Sequence, residues 1–115
     1  MPKILIIEDE TLIREEVGEW LQFEGYEVIS TSNGRMGLNA LVREAPDIIL
    51  CDITMPEMDG LAVFREVRAN SAVAHIPFVF LTAGAKQDTM LDADAYLFKP
   101  FTCAQLLTII RDHVK

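Results

Sequence analysis

Short, uninterrupted apolar runs, each followed by a stretch of helical periodicity, leave few folds open to this chain. Four runs read as strands covered on both faces: Lys3–Ile7, Asp47–Cys51, Phe78–Leu81 and Ala95–Phe98. Strands exposed on one face alternate; strands buried on both faces do not. A fifth run, Tyr26–Ser30, is less uniformly apolar and reads as a sheet edge. Between and after them, apolar residues recur at helical spacing, as in Ile13, Val17, Trp20 and Leu21, or Cys103, Leu106, Leu107 and Ile110. Leu38, Leu41 and Val42, and then Leu61, Phe64 and Val67, mark two more helices. Strand followed by helix, repeated five times, is the pattern of an α/β domain with a parallel sheet wrapped by helices.

The punctuation fits this reading. Glu24-Gly25 closes the first helix with a glycine cap. Asp59-Gly60 forms a turn feeding the third, and Thr102 with Gln105 makes a capping box for the last. No repeat, linker or composition break divides the 115 residues, so one domain over residues 1–115 is expected. One connection is tight. Only residues 83–94 remain between the fourth and fifth strands, about the minimum for a crossover with a helix. That stretch carries Asp88, Asp92 and Asp94 and few apolar residues, so its helix should be shortened or irregular.

Charge narrows the function. Ten basic against eighteen acidic residues give a net −8, which repels a polyphosphate backbone and argues against direct nucleic-acid binding. Cys51 and Cys103 lack disulfide-framework spacing and fit a reducing compartment. The run Ile4-Leu5-Ile6-Ile7 is shorter than the apolar region of a signal peptide and has no small-residue cleavage site after it, and no apolar stretch is long enough for a membrane span. A cytoplasmic protein without membrane contact is expected.

In an open parallel sheet, ligands bind at the carboxyl ends of the strands. Those positions carry Glu8 and Asp9 after the first strand, Asp52 after the third, Thr82 after the fourth and Lys99 after the fifth. A lone acid at a strand end is often only a helix cap. Three carboxylates, a hydroxyl and an ammonium converging on one edge form a stronger pattern. Clustered carboxylates raise one another's pKa, and a hard divalent cation relieves that penalty. Oxygen-only donors in small number favour Mg²⁺. A carboxylate in such a pocket can attack phosphorus, with cation, ammonium and hydroxyl each taking one oxygen of the transferring group.

Four stretches carry a resemblance across almost the entire chain. They are Ile7-Glu8-Asp9-Glu10, Asp52-Ile53-Thr54-Met55-Pro56-Glu57-Met58-Asp59-Gly60, Leu81-Thr82-Ala83 and Tyr96-Leu97-Phe98-Lys99-Pro100-Phe101. In this order they resemble the receiver domain of bacterial two-component response regulators. The resemblance implies a doubly wound, flavodoxin-like sheet of order 2-1-3-4-5 with helices on both faces, the order of the family's chemotaxis member. It further implies that Asp52 accepts a phosphoryl group from the phosphohistidine of a sensor histidine kinase or a phosphotransfer protein. Asp9 would ligate Mg²⁺ directly, Glu8 mainly through water, and Thr54 through its backbone carbonyl. Thr82 and Lys99 would each hold a phosphoryl oxygen, Thr82 and Tyr96 would form the switch pair, and the Lys99–Pro100 peptide would be cis. Such a domain is a switch and not an enzyme, apart from self-phosphorylation and slow self-dephosphorylation at Asp52. A downstream protein target or a fused output domain would read its state.

The chain departs from the family in places. It has Glu8-Asp9 where many receivers carry two aspartates, a change that keeps metal binding, and Asp92-Ala93-Asp94-Ala95 before the tyrosine. Seventeen positions separate Thr82 from Lys99, about five fewer than the family norm, or ~7.5 Å of helix. Atypical output is the expected consequence, and a phosphorylation-independent interaction module is the alternative reading. Thr54 and Gly84 occupy the positions that tune self-hydrolysis in similar proteins, and neither can position water, so reset should not be unusually fast. Trp20 is expected in the core, and His75 and His113 in solvent.

Overall fold

The computed structural model describes residues 2–83 and 93–114. In chain order the described elements are β1 (Lys3–Ile7), α1 (Thr11–Phe23), β2 (Glu27–Thr31), α2 (Gly34–Glu44), β3 (Ile48–Asp52), α3 (Gly60–Ala69), β4 (Phe78–Thr82), β5 (Ala95–Phe98) and α4 (Cys103–His113). The strands form one sheet in the order β2-β1-β3-β4-β5, and every pairing is parallel. The expected shortened helix of the β4–β5 crossover falls on residues 84–92 and lies outside the described residues, as does Gly84.

β1, β3 and β4 are buried on both faces because their two sets of side chains enter two separate cores, whereas β5, expected to be covered on both faces, is a sheet edge with Phe98 exposed. Leu5, Ile7, Ile49, Cys51, Phe78 and Phe80 face α2 and α3, meeting Ala40, Leu41, Val63, Phe64 and Val67. Ile4, Ile6, Ile48, Leu50, Val79 and Leu81 face α1 and α4, meeting Val17, Leu21, Leu106, Leu107 and Ile110. Each such fully buried aliphatic stabilises the fold by about 1.5–3 kcal/mol relative to exposure. This explains why the runs are continuous.

Strand ends differ from the sequence reading by one residue. Asp47 leaves β3 because its carboxylate accepts from the Lys3 backbone N–H at 2.7 Å, whereas Asp52 and Thr82 are the last residues of β3 and β4 instead of following them. Tyr26 likewise precedes β2, the sheet edge. Val42, read as part of the apolar stripe of α2, is exposed; glycine and alanine at positions 37 and 40 complete the buried face with Leu41. Trp20 is half-buried and meets Phe101 edge-on at 6.2 Å. His75 is exposed, but His113 is half-buried, with Nδ1 2.9 Å from the Ile109 carbonyl oxygen.

The helix ends follow their capping chemistry. Thr102 and Gln105 form a reciprocal capping box on α4, and Asp59 caps α3 by accepting from the Ala62 N–H at 2.9 Å. Gly25 has φ 95°, the left-handed conformation in which a side chain would be strained. Asp94 ties the far ends of β4 and β5 to α3. Its carboxylate accepts from the Phe78 N–H at 2.8 Å and from Arg68 at 3.0 Å, while Arg68 also donates to the carbonyls of Ala74 and Ile76.

Candidate functional site

The parallel register brings the carboxyl ends of β1, β3, β4 and β5 level, with Asp52 opposite Leu81 and Thr82 opposite Phe98. Directly after β1, Glu8 is pinned by its backbone. Its N–H donates to the Thr31 carbonyl at 3.1 Å, and its own carbonyl accepts from the Arg14 guanidinium at 2.9 Å. Thr31 is fixed in turn by its hydroxyl, which donates to the Ile6 carbonyl at 2.8 Å. The Glu8 side chain is fully buried, Asp52 is buried at 6 % exposure, and Asp9 is half-buried. One carboxylate oxygen from each of the three lies within 4.8 Å of the others.

Lys99 comes from the opposite side. Its backbone N–H donates to the Thr82 carbonyl at 2.7 Å, and the peptide to Pro100 is cis. Its ammonium stands 3.0 Å from Glu8 Oε1, 3.4 Å from Asp52 Oδ2 and 3.5 Å from Glu10 Oε1. The contact to Glu8 is an ion pair without hydrogen-bond alignment, so Glu8 Oε1 is a buried oxygen that no donor satisfies among the described residues.

The electrostatics follow from this crowding. Burial, then the negative charge of Asp52, lifts the Glu8 carboxyl to about 7, against the pull of Lys99 and the Glu10 backbone N–H. Burial also raises Asp52, with Lys99, Glu8 and the Thr54 backbone N–H acting in the other direction. Desolvation weakens the Lys99 charge, but Glu8, Asp52 and Glu10 together outweigh it and its pKa ends above the ordinary lysine value. Cys51 is fully buried on the other side of the strand, and its thiol is pushed well up, chiefly by burial. It is a core residue and not a nucleophile.

A pH dependence of stability follows. Between the unfolded carboxyl value of 4.5 and about 7, the folded chain holds a proton on Glu8 that the unfolded chain releases. Stability from this group is therefore complete below pH 4.5 and is lost as pH rises through 7, by about 1–3 kcal/mol. In denaturant titrations of metal-free protein at pH 5, 6, 7 and 8, wild type should lose this increment and Glu8→Gln should not. Equal slopes for the two proteins would refute the assignment.

The donor set suits a hard cation. Three carboxylates, one with an unsatisfied buried oxygen, offer oxygen alone, and no imidazole or thiolate joins them among the described residues. Thr54 is exposed two residues beyond Asp52. Thr82 is buried at 6 % exposure at the end of β4, beside the strand that carries Asp52. Tyr96 stands one strand further out, its ring 5.5 Å from that of Phe80. Two contributors are not evident from the sequence: Arg14, which holds the Glu8 carbonyl, and Glu10, which reaches Lys99. An arginine five residues after Asp9 has no local signal beyond its place on the first turns of α1.

Comparison with known proteins agrees with this geometry. Residues 4–111 match the family model of the response regulator receiver domain. The chain is 40 % identical over 114 residues to the Guillardia theta protein named probable transcriptional regulator ycf27, covering 95 % of this chain and 44 % of that protein. It is 37 % identical to RpaA of Synechocystis, a DNA-binding dual master transcriptional regulator, covering 96 % of this chain and 48 % of the relative. The chain thus spans about half the length of the curated relatives it matches. Among solved structures, the chemotaxis protein CheY4 of Vibrio cholerae superposes with a TM-score of 0.93 at 30 % identity, covering 99 % of both chains. The receiver domain of the sensor histidine kinase PA1611 from Pseudomonas aeruginosa superposes at 0.91 and 30 % identity, covering 97 % of this chain and 96 % of that one. That structure has a magnesium ion coordinated in its active-site cleft. Among the described residues, no helix is long and apolar enough to cross a membrane.

Proposed function

Because this chain belongs to the response regulator receiver domain family, we propose that it is a phosphorylation switch with Asp52 as acceptor. A histidine kinase or phosphotransfer protein supplies the phosphoryl group. An Asp52 carboxylate oxygen attacks phosphorus as the P–N bond to the donor imidazole breaks. The electron pair stays on the imidazole nitrogen, which takes up a proton. The observation that carries this reading is the pairing of buried Asp52 with Lys99 at 3.4 Å, inside a cluster that includes Glu8 and Asp9.

Each residue has a task set by its position. Burial keeps bulk water from Asp52 and strengthens every interaction around it. Lys99, already held against two buried carboxylates, needs only a short displacement to pair with an incoming phosphoryl oxygen. Thr82, at the end of the adjacent strand, offers a hydroxyl to another oxygen. Its movement toward the new anion would free space for the Tyr96 ring, the switch that a partner reads. Glu8, Asp9, Asp52 and the Thr54 carbonyl would hold Mg²⁺, which supplies charge neutralisation for the transferring group. Thr54, which has no acid or amide to position water, leaves the phosphorylated state slow to reset.

The relatives, about twice as long and named as transcriptional regulators, support a fused output domain as the reader; a separate protein target is the alternative, and the setting is cytoplasmic. The deciding measurement is intact mass after incubation with Mg²⁺ and an acyl phosphate, followed by peptide mapping. One phosphate on Asp52 is expected. A phosphate elsewhere, or none, would overturn the assignment.

A further inference from the structure

Glu10 occupies the N-cap position of α1, where its backbone carbonyl accepts the first helical bond from the Arg14 N–H at 2.9 Å. A Ser, Thr, Asp or Asn there turns a side-chain oxygen back onto the helix. Glu10 does not. Its side chain makes no capping bond and instead reaches Lys99, 89 residues away in sequence, at 3.5 Å. The carboxylate is 61 % exposed, whereas Lys99 is 10 % exposed and Glu8 fully buried. Glu10 is therefore the most solvent-facing of the groups around Lys99 among the described residues. It also lines a cavity of about 410 Å³ shared with Lys99, Glu16, Trp20, Pro100 and Phe101, which places a second exposed acid on the same side.

We infer that Glu10 is a specificity-determining residue that discourages free anionic phosphodonors while tolerating a donor delivered by a docked protein. The inference rests on Asp52 being the acceptor. Glu8, Asp9, Asp52 and Glu10 carry four acidic groups around one ammonium. A small dianion meets the outermost of these before it reaches Lys99 and the metal. A protein donor brings an interface that offsets the repulsion. The reaction with a free acyl phosphate is balanced simply: the P–O bond to the acyl group breaks, a P–O bond to Asp52 forms, and the carboxylate leaves with the electron pair.

The test compares wild type, Glu10→Gln and Glu10→Asp at saturating Mg²⁺, with acetyl phosphate as donor and phosphorylation followed by intact mass. At low ionic strength Glu10→Gln should react about three- to tenfold faster than wild type. That lead should vanish near 1 M salt, where the screening length is about 3 Å. Glu10→Asp, which keeps the charge, should behave as wild type. Inorganic phosphate, followed by amide NMR shifts, should bind Glu10→Gln about threefold more tightly, a readout independent of turnover. Equal rates in wild type and Glu10→Gln, or a lead that survives high salt, would overturn the inference and leave Asp52 as acceptor intact. No phosphate on wild type at any salt would overturn the acceptor reading, and this one with it.

Discussion

Lys99→Met should slow phosphorylation of Asp52 by two to three orders of magnitude while Mg²⁺ binds about tenfold more tightly. The two effects have one origin. The ammonium stands 3.0 Å from Glu8 and 3.4 Å from Asp52, so before reaction it competes for the same oxygens that would hold the metal. Removing a unit positive charge ~6 Å from a dication strengthens the metal's attraction by about tenfold even with the full screening of bulk water. During transfer the same charge is needed on the phosphoryl group, and deleting one preorganised electrostatic contact of this kind costs about 10²–10³ in rate. Glu8 should also titrate higher in the variant, since Lys99 is what pulls it down. Metal affinity can be read by fluorescence of Trp20, the sole tryptophan, and phosphorylation by intact mass. A damaged fold would lose both functions together. Loss of rate with unchanged or weaker metal binding would mean that the ammonium does not share the metal's oxygens.

How much of this was legible beforehand depends on how far apart in sequence the interacting groups lie. The sheet was legible because burial on both faces forces continuous apolar runs such as Ile4-Leu5-Ile6-Ile7, and the two cores divide those runs residue by residue. Glu8, Asp9, Asp52, Thr82 and Lys99 were legible as strand-end residues, since a parallel sheet gathers its carboxyl ends on one edge. The sequence misses interactions that leave no periodic or local trace. Arg14 looks like any helix-surface arginine until the Glu8 carbonyl is found beside it, and Asp94 looks like loop polarity until it bonds Phe78 and Arg68. Val42 misleads in the other direction, because Gly37 and Ala40 supply the packing face and leave a larger apolar residue outside. Glu10 was visible in the acidic motif, but a glutamate at an N-cap gives no hint that it points toward a lysine just past β5.

Gly60→Ala should be among the most damaging single substitutions, lowering stability by about 3 kcal/mol or more and the melting temperature by roughly 10–20 °C. The helix α3 begins at Gly60 against the end of β3, with the Gly60 N–H donating to the Ile53 carbonyl at 2.7 Å. A Cβ there would lie 2.2 Å from the Asp52 carbonyl oxygen and 2.8 Å from Ile53 Cα. Both are backbone atoms and cannot rotate aside, so either the helix start or the residue carrying the acceptor must move. Gly37→Ala is the informative comparison. Its Cβ would come within 2.4 Å of Ile7 Cδ1 and 2.7 Å of Ile7 Cγ1, a clash with side chain and not backbone, which Ile7, buried and β-branched, relieves only by shifting against its core neighbours. That variant should lose less than Gly60→Ala, about 1–3 kcal/mol. Thermal melts of the two, with Mg²⁺ titrations of whatever remains folded, separate the effects. Gly60→Ala should bind the metal weakly even when folded, because displacing β3's end moves Asp52, whereas Gly37→Ala should bind it as wild type does. Equal losses in both variants would mean that α3 can shift without disturbing Asp52, and that the glycine serves the turn alone.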